Sequence, residues 1–232
     1  MEESKSELKR LPEKPLLASD ILLAKYYQLK ELPGLFRRYL ALGEQEYGLK
    51  LSNGQVVEKL PSPAQGIVRK PIGWAILGLE ERSAIRLWTS PVHLRPSLFR
   101  MASGDEPLPL LVDIFLSVAA QVTDPARFYN TLPTDKNEYR CSDLANEIAA
   151  CLEKPLQKKL RGYDAQTLSL DDRGIVTDTL AQDKDLVATL HDFLASRGVA
   201  LKSLSILSII PSEAEDQLVQ EVEALRGKVI EG

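Results

Sequence analysis

A long alternating segment, residues 108–132, constrains the fold of this chain more than any other feature. Every second position from Leu110 to Val122 is apolar, whereas the positions between them carry mixed side chains. This period of two predicts a long strand with one buried face. The alternation ends at Asp124-Pro125, where an aspartate can cap a helix and a proline suits its first position. The sequence therefore predicts a half-buried strand that runs directly into a short helix.

The composition is that of an ordinary globular protein. The 232 residues are 44% hydrophobic and 27% charged, with a formal net charge of -4. A sizeable core can form, and the charge balance does not favour nucleic acid as a partner. The two cysteines, Cys141 and Cys151, suit a reducing compartment. No apolar run reaches the ~20 residues that span a membrane, so we expect a cytoplasmic location or one peripheral to a membrane.

Residues 1–37 are predicted to form a polar arm followed by one helix. A capping residue at Ser19 or Asp20 begins this helix, which ends at about Glu31. The helix presents an apolar and aromatic stripe, the candidate partner-binding surface, formed by Ile21, Leu22, Tyr26 and Leu29. Packing of the stripe on the main domain is favoured over binding to a membrane surface, because the segment has few basic residues.

Residues 38–122 are predicted to form a meander of β-strands. Asn53-Gly54 supplies the two positive-φ positions of a type I′ turn, so a hairpin is expected around it. Further strands are expected near 74–79 and 84–89. Between the hairpin and these strands, the prolines and glycines of residues 61–73 indicate a loop.

The second half of the chain changes to a helical period. Leu144, Ile148 and Leu152 recur every four residues, which predicts a helix that begins near Ser142 and that Pro155 must kink or split. Another helix is predicted over residues 183–197. Gly198 suits the left-handed position after it, and the β-branched residues that follow predict a strand over 199–210.

The last segment, residues 211–232, is predicted to begin a coiled coil. Ser212 and Glu215 form a capping box. Apolar residues then follow at the 4-3-4 spacing of a heptad seam, the candidate oligomer interface: Leu218, Val222, Leu225 and Val229. Because so short a helix is marginal alone in water, the seam either packs on the domain or is the start of a longer coiled coil.

Several short motifs occur in a characteristic order along the chain. They are residues 42–48 (LGEQEYG), Gly104-Asp105-Glu106, Val112-Asp113-Ile114, residues 122–129 (VTDPARFY), residues 190–199 (LHDFLASRGV) and residues 203–211 (SLSILSIIP). Their order resembles the SPFH domain of stomatins, prohibitins and flotillins over roughly residues 38–232.

The resemblance implies an α+β fold, in which a β-meander sheet is packed by helices and followed by the start of a C-terminal coiled-coil helix. The expected division is an N-terminal arm and helix over 1–37, an SPFH-like domain over 38–210 and a helix with the heptad seam over 211–232. The resemblance also implies a non-enzymatic scaffold that forms homo-oligomers and organises membrane-associated assemblies or partner proteins, without a cofactor.

No sequence motif for catalysis or metal binding stands out. Two histidines and two separated cysteines give no metal-ligand spacing. His191 and Asp192 are adjacent on a predicted helix, so they are not expected to face each other. We therefore predict no catalytic, cofactor or metal site. The alternative is a soluble enzyme or ligand-binding domain whose site is built from loops 61–73 and 91–107.

Overall fold

The computed structural model describes residues 20–74, 82–103, 110–163 and 175–211. Over these ranges the chain has the predicted mixed α+β composition, with antiparallel sheets. The strands are β1 (Leu22–Gln28), β2 (Arg37–Leu42), β3 (Glu46–Ser52), β4 (Gln55–Leu60), β5 (Val68–Trp74), β6 (Arg82–Trp88), β7 (Val92–Leu94), β8 (Ser97–Ser103), β9 (Leu110–Val122), β10 (Glu138–Arg140) and β11 (Val199–Pro211). The helices are α1 (Pro125–Tyr129), α2 (Cys141–Leu160), α3 (Ile175–Ala181) and α4 (Lys184–Ser196), and a 3-10 turn (Leu29–Glu31) follows β1.

One contiguous core joins two sheets and the helices. The first sheet has five strands in the order β10-β1-β6-β3-β4. In the second sheet, β9 pairs with β11 along one edge and with β7 and β8 along the other. Leu87 of the first sheet, Leu116 of β9 and Ile148 of α2 are all fully buried in this core. The predicted apolar face of β9 is therefore confirmed. Because this face is buried in the core, helices pack against the second sheet.

A smaller apolar cluster lies apart from the main core, where strands β2 and β5 form a two-stranded sheet, here called the β2–β5 ribbon. Leu40 of β2, Ile72 of β5 and Leu29 are buried in this cluster together with Ala84 of β6. The prediction of a loop over residues 61–73 is thus wrong for β5. Pro71 is tolerated there because strands of a two-stranded ribbon have free edges, so its missing N–H breaks no central ladder.

The predicted N-terminal helix is wrong, because its residues form strand β1. This strand lies inside the five-stranded sheet, between β10 and β6. Pairing on both edges satisfies its backbone groups and buries Leu23 and Tyr26 in the main core, which outweighs local helical preference. Asp20 caps a different helix, since its carboxylate accepts hydrogen bonds from the Ser142 N–H (2.9 Å) and hydroxyl (2.8 Å) in α2. Residues 22–28 therefore belong to the main domain, not to a separate arm.

The strands do not follow one another as a simple meander. The β3–β4 hairpin is confirmed, with Asn53 at φ 49° and Gly54 at φ 72°. However, β1 pairs with β6, and β2 pairs with β5. Because a strand pairs where its apolar residues can be buried, its partners need not be the strands next to it in the sequence.

The helices of the second half agree with the sequence, with one correction. Asp183 caps α4 by accepting hydrogen bonds from the N–H groups of Asp185 and Leu186, and Gly198 follows it with φ 71°. Helix α2 runs unbroken through Pro155, so the proline does not split it. Burial of Leu152 and Leu156 on either side offsets the cost of an internal proline, about 3 kcal/mol.

Candidate functional site

A shallow depression lies on the five-stranded sheet, at the end of its inner strands where β1 and β3 begin and β6 ends. Its lining consists of Ile21, Leu22, Lys25, Glu46, Arg86 and Trp88. The depression has a volume of about 180 Å³, whereas pockets for small organic ligands hold roughly 300–1,000 Å³. Its size therefore suits an ion or a very small polar molecule and not a cofactor.

Charged side chains border this depression in a row across neighbouring strands. The strand register places Lys25 of β1 opposite Arg86 of β6. The Lys25 ammonium contacts Glu138 of β10 at 2.8 Å, and the Arg86 guanidinium lies 3.5 Å from the carboxylate of Glu46 on β3. Glu138 also binds Arg140 at 2.7 Å. Each cation thus has a carboxylate partner, and the row connects four elements of the sheet.

The ionisation of these groups argues for a structural role. The hydrogen bond with Glu138 raises the pKa of Lys25, and the hydrogen bonds from Lys25 and Arg140 lower the pKa of Glu138. Burial raises the pKa of the nearby Tyr27 phenol. A general acid or base works best with a pKa near the working pH, and these three shifts all move away from neutrality. The ion pairs of this row link neighbouring strands of the sheet.

The predicted partner-binding stripe does not exist as one surface. Tyr26 is 5% exposed within the main core, and Leu29 is 3% exposed within the smaller cluster. Ile21 and Leu22 line the depression instead. Leu22 and Tyr26 are four residues apart and would share a face of a regular strand, but the register of β1 against β10 shifts between Leu22 and Ala24, and Ile21 and Leu29 lie outside β1.

The four residues of the predicted seam, Leu218, Val222, Leu225 and Val229, lie outside the described residues, and their role as an oligomer interface stays a prediction. The segments named for the alternative enzyme site contain strands β5, β7 and β8, and neither segment contributes to the lining of the depression. Within the described ranges, no group of three or more His, Cys, Asp or Glu side chains is placed to hold a metal ion.

The expectation that His191 and Asp192 do not face each other is wrong. The imidazole Nδ1 lies 3.3 Å from the Asp192 carboxylate, so the two adjacent side chains do meet. Both side chains are largely exposed on α4. A contact between two exposed side chains at a helix surface has little energetic value, and neither residue lines the depression.

Two of the sequence motifs converge at one corner of the fold. The carbonyl oxygen of Gly198 accepts hydrogen bonds from the N–H groups of Thr123 and Asp124, both at 2.9 Å. The Arg127 guanidinium donates to the Ala195 carbonyl at 3.3 Å. Each motif was visible in the sequence as a cap or a turn, but their contact was not predicted. The β9–α1 junction and the α4–β11 turn therefore form one structural unit.

No family model matches this chain, and no curated protein matches it. Among the helices in the described ranges, none combines the length and apolar character needed to cross a bilayer.

Proposed function

We propose that this chain is a non-enzymatic, oligomeric scaffold domain of the SPFH type, which organises membrane-associated assemblies or partner proteins. The observation that carries this proposal is the corner formed by Gly198 and Asp124. The two motifs that meet there, residues 122–129 and 190–199, both belong to the ordered pattern that carries the resemblance. Their contact supports the proposal because motifs far apart in the chain are brought together where β9 and β11 begin to pair.

The path of β11 explains how such a domain can hold a coiled coil. Strand β11 pairs with β9 from Val199 opposite Val122 to Pro211 opposite Val112. The heptad seam begins a few residues after Pro211. If the residues after Pro211 form the predicted helix, its starting point is set by a strand that pairs with β9 up to its last residue. Assembly through the seam would then fix the spacing between neighbouring domains, which is what a scaffold requires.

The test is the mass of the full chain in solution by light scattering. The variant Leu218→Asp with Leu225→Asp places charges in the seam, where burial of an unpaired carboxylate is costly. Its matched control, Gln217→Asp with Ala224→Asp, adds the same charge one heptad position away from the seam. We expect the seam variant to have a lower mass than the parent chain, and the control to keep the parent mass.

Circular dichroism of each variant verifies that the domain is folded. A parent chain that is monomeric at all concentrations would contradict the assembly part of the proposal. An oligomer whose mass is equally insensitive to both variants would show that the seam is not the interface.

A further inference from the structure

The β2–β5 ribbon carries a positive charge that the rest of the chain does not share. Its strands contain Arg37, Arg38, Arg69 and Lys70 and no acidic residue, although the whole chain has a formal net charge of -4. Within the described part of the chain, Arg37, Arg69 and Lys70 form no ion pair. The ribbon is therefore a local basic surface on an acidic protein.

Large apolar side chains are exposed at one end of this ribbon. Leu35 is 79% exposed and Phe36 is 72% exposed, in the loop that leads into β2. Trp74, the last residue of β5, is 57% exposed and pairs with Arg37 across the ribbon. We call Leu35, Phe36, Arg37 and Trp74 the ribbon tip. Exposed apolar residues that cluster in this way mark contact surfaces, whereas single ones need no explanation.

The loop that carries Leu35 and Phe36 is braced from beneath. The Arg38 guanidinium donates hydrogen bonds to the carbonyls of Leu32 (2.9 Å) and Gly34 (2.7 Å). Gly34 has φ 123°, and a Cβ at this position would lie 2.0 Å from the Arg37 carbonyl oxygen. Because the backbone is held on both sides, the loop keeps its apolar side chains directed outward and cannot fold them onto the smaller cluster.

We propose that the ribbon tip inserts into the interface of an anionic lipid bilayer. The side chains of Leu35 and Phe36 are largely exposed, and exposed apolar side chains of a loop suit a deformable bilayer better than a protein partner, which would need a matching groove. Tryptophan with neighbouring aromatic and aliphatic residues is favoured at the level of lipid headgroups. Arg37 and Arg38 lie at the same end of the ribbon as the tip, opposite Trp74 and Gly73, and their charges add attraction to phosphatidylserine or other anionic headgroups. This inference rests on the proposed scaffold function only in that the function places the chain beside a membrane, since lipid binding does not need assembly.

The first experiment is sedimentation of the full chain with vesicles. One set contains phosphatidylcholine with about one-third phosphatidylserine, and the other contains phosphatidylcholine alone. We expect binding to the anionic vesicles, weaker binding to the neutral ones, and loss of the difference at high salt because exposed charges are then screened. In a Trp88→Phe background, Trp74 is the remaining tryptophan, and its emission should shift to the blue when vesicles are added.

Two pairs of variants separate the apolar and the electrostatic contributions. Leu35→Ser with Phe36→Ser removes apolar surface from the tip, and its control, Val57→Ser with Ile175→Ser, removes exposed apolar residues elsewhere. We expect the tip variant to lose binding to both vesicle types and the control to keep it. The altered side chains in both variants are exposed, so both are expected to fold.

The electrostatic variant is Arg37→Gln, because Arg37 lies at the tip opposite Trp74, and its control is Lys154→Gln on α2. Loss of one cation beside the bilayer should weaken binding to anionic vesicles by about fivefold, while the α2 control should bind as the parent chain does.

The same variants define the results that would overturn the inference. If the folded chain binds neither vesicle type, the ribbon tip is not a membrane contact. If binding survives the tip variant, another surface is responsible. If vesicles have no effect but the tip variant lowers the mass measured by light scattering, the tip joins two copies of the chain. A parent chain that is monomeric but binds the anionic vesicles would overturn the assembly proposal and support this inference, whereas an oligomer that binds neither vesicle type would do the reverse, so the two proposals fail separately.

Discussion

Gly198 packs directly against Asp124, and this contact closes the corner between the two longest strands. A Cβ atom at Gly198 would lie 2.5 Å from the Asp124 carbonyl oxygen and 3.0 Å from the Arg127 Cβ. Gly198 also has φ 71°, a conformation that side chains other than glycine's rarely adopt. The β9–β11 ladder begins immediately beyond this contact, with Val199 opposite Val122. Only glycine allows the turn to approach closely enough to set that register.

Replacement of Gly198 by alanine should therefore be costly. We expect Gly198→Ala to lower the free energy of unfolding by about 2 kcal/mol or more, because backbone strain and a steric clash act together. Gly54→Ala is the matched control, since Gly54 has φ 72° but a Cβ atom added there would have no neighbour within 4 Å. It should cost only about 1 kcal/mol. Urea unfolding measures both, and equal losses would contradict the role of the close approach.

The position of Tyr26 in strand β1 predicts a large effect of its truncation. Its ring is buried in the main core, 6.1 Å from the Tyr129 ring, with the Arg82 guanidinium over its face at 4.1 Å. Tyr26→Ala should lower the free energy of unfolding by about 3–5 kcal/mol. Tyr26→Phe keeps the ring and should remain close to the parent chain. A nearly neutral Tyr26→Ala variant would instead favour an exposed helical stripe.

The ion pair between Lys159 of α2 and Asp183 before α4 predicts a dependence of stability on pH. The hydrogen bond from Lys159 (2.7 Å), and then that from the Leu186 N–H, lowers the pKa of Asp183 below its ordinary value of 3.8. A carboxylate whose pKa is lowered by folding stabilises the protein above its unfolded-state pKa, and this contribution is lost as the pH falls through its folded-state pKa. Stability should thus decrease as the pH falls below about 4.

Asp183→Asn tests this dependence, because asparagine can still cap α4 but carries no charge. Urea unfolding at a series of pH values should show a smaller decrease at acidic pH for this variant than for the parent chain. The control is Asp178→Asn, which removes an exposed carboxylate from α3 and should keep the parent profile. A parent-like profile in the Asp183 variant would show that other carboxylates control acid stability.

The thiol of Cys141 should react slowly. Burial, and then the negative charge of Asp20, raises its pKa from 9.0 to about 11. Because the thiolate is the reactive form, alkylation by iodoacetamide at neutral pH should be about a hundredfold slower than for an ordinary cysteine. The rate in a Cys151→Ser background should rise with pH up to about 11. A rate that levels off near pH 9.0 would show that the thiol is not shielded in this way.

Elements defined by local residues were predicted well. The alternation from Leu110 to Val122 specifies strand β9, and Asp124-Pro125 specifies the start of α1, because both signals act within a few residues of the chain. The same holds for Asn53-Gly54 in the hairpin and for Asp183 at the start of α4. These signals depend on backbone geometry and capping hydrogen bonds, which need no distant partner.

Elements defined by distant partners were not predicted. The spacing of Leu22 and Tyr26, four residues apart, fits a helix as well as a strand, and only the pairing of β1 with β6 and β10 selects the strand. Strand β5 was hidden by Pro71, whose cost depends on whether it lies in a central strand or in a two-stranded ribbon. The exposure of the ribbon tip follows from the same pairing, so no local pattern could indicate it.

By itself the sequence determined where β9, α4 and β11 begin and end, because caps, turns and alternation act over a few residues. Only the tertiary structure decided that β1 lies inside a sheet, that Gly198 meets Asp124, and that Leu35, Phe36 and Trp74 share one exposed tip. Each of these depends on contacts between residues far apart in the chain, and the free energy of those contacts is gained only when the whole core forms.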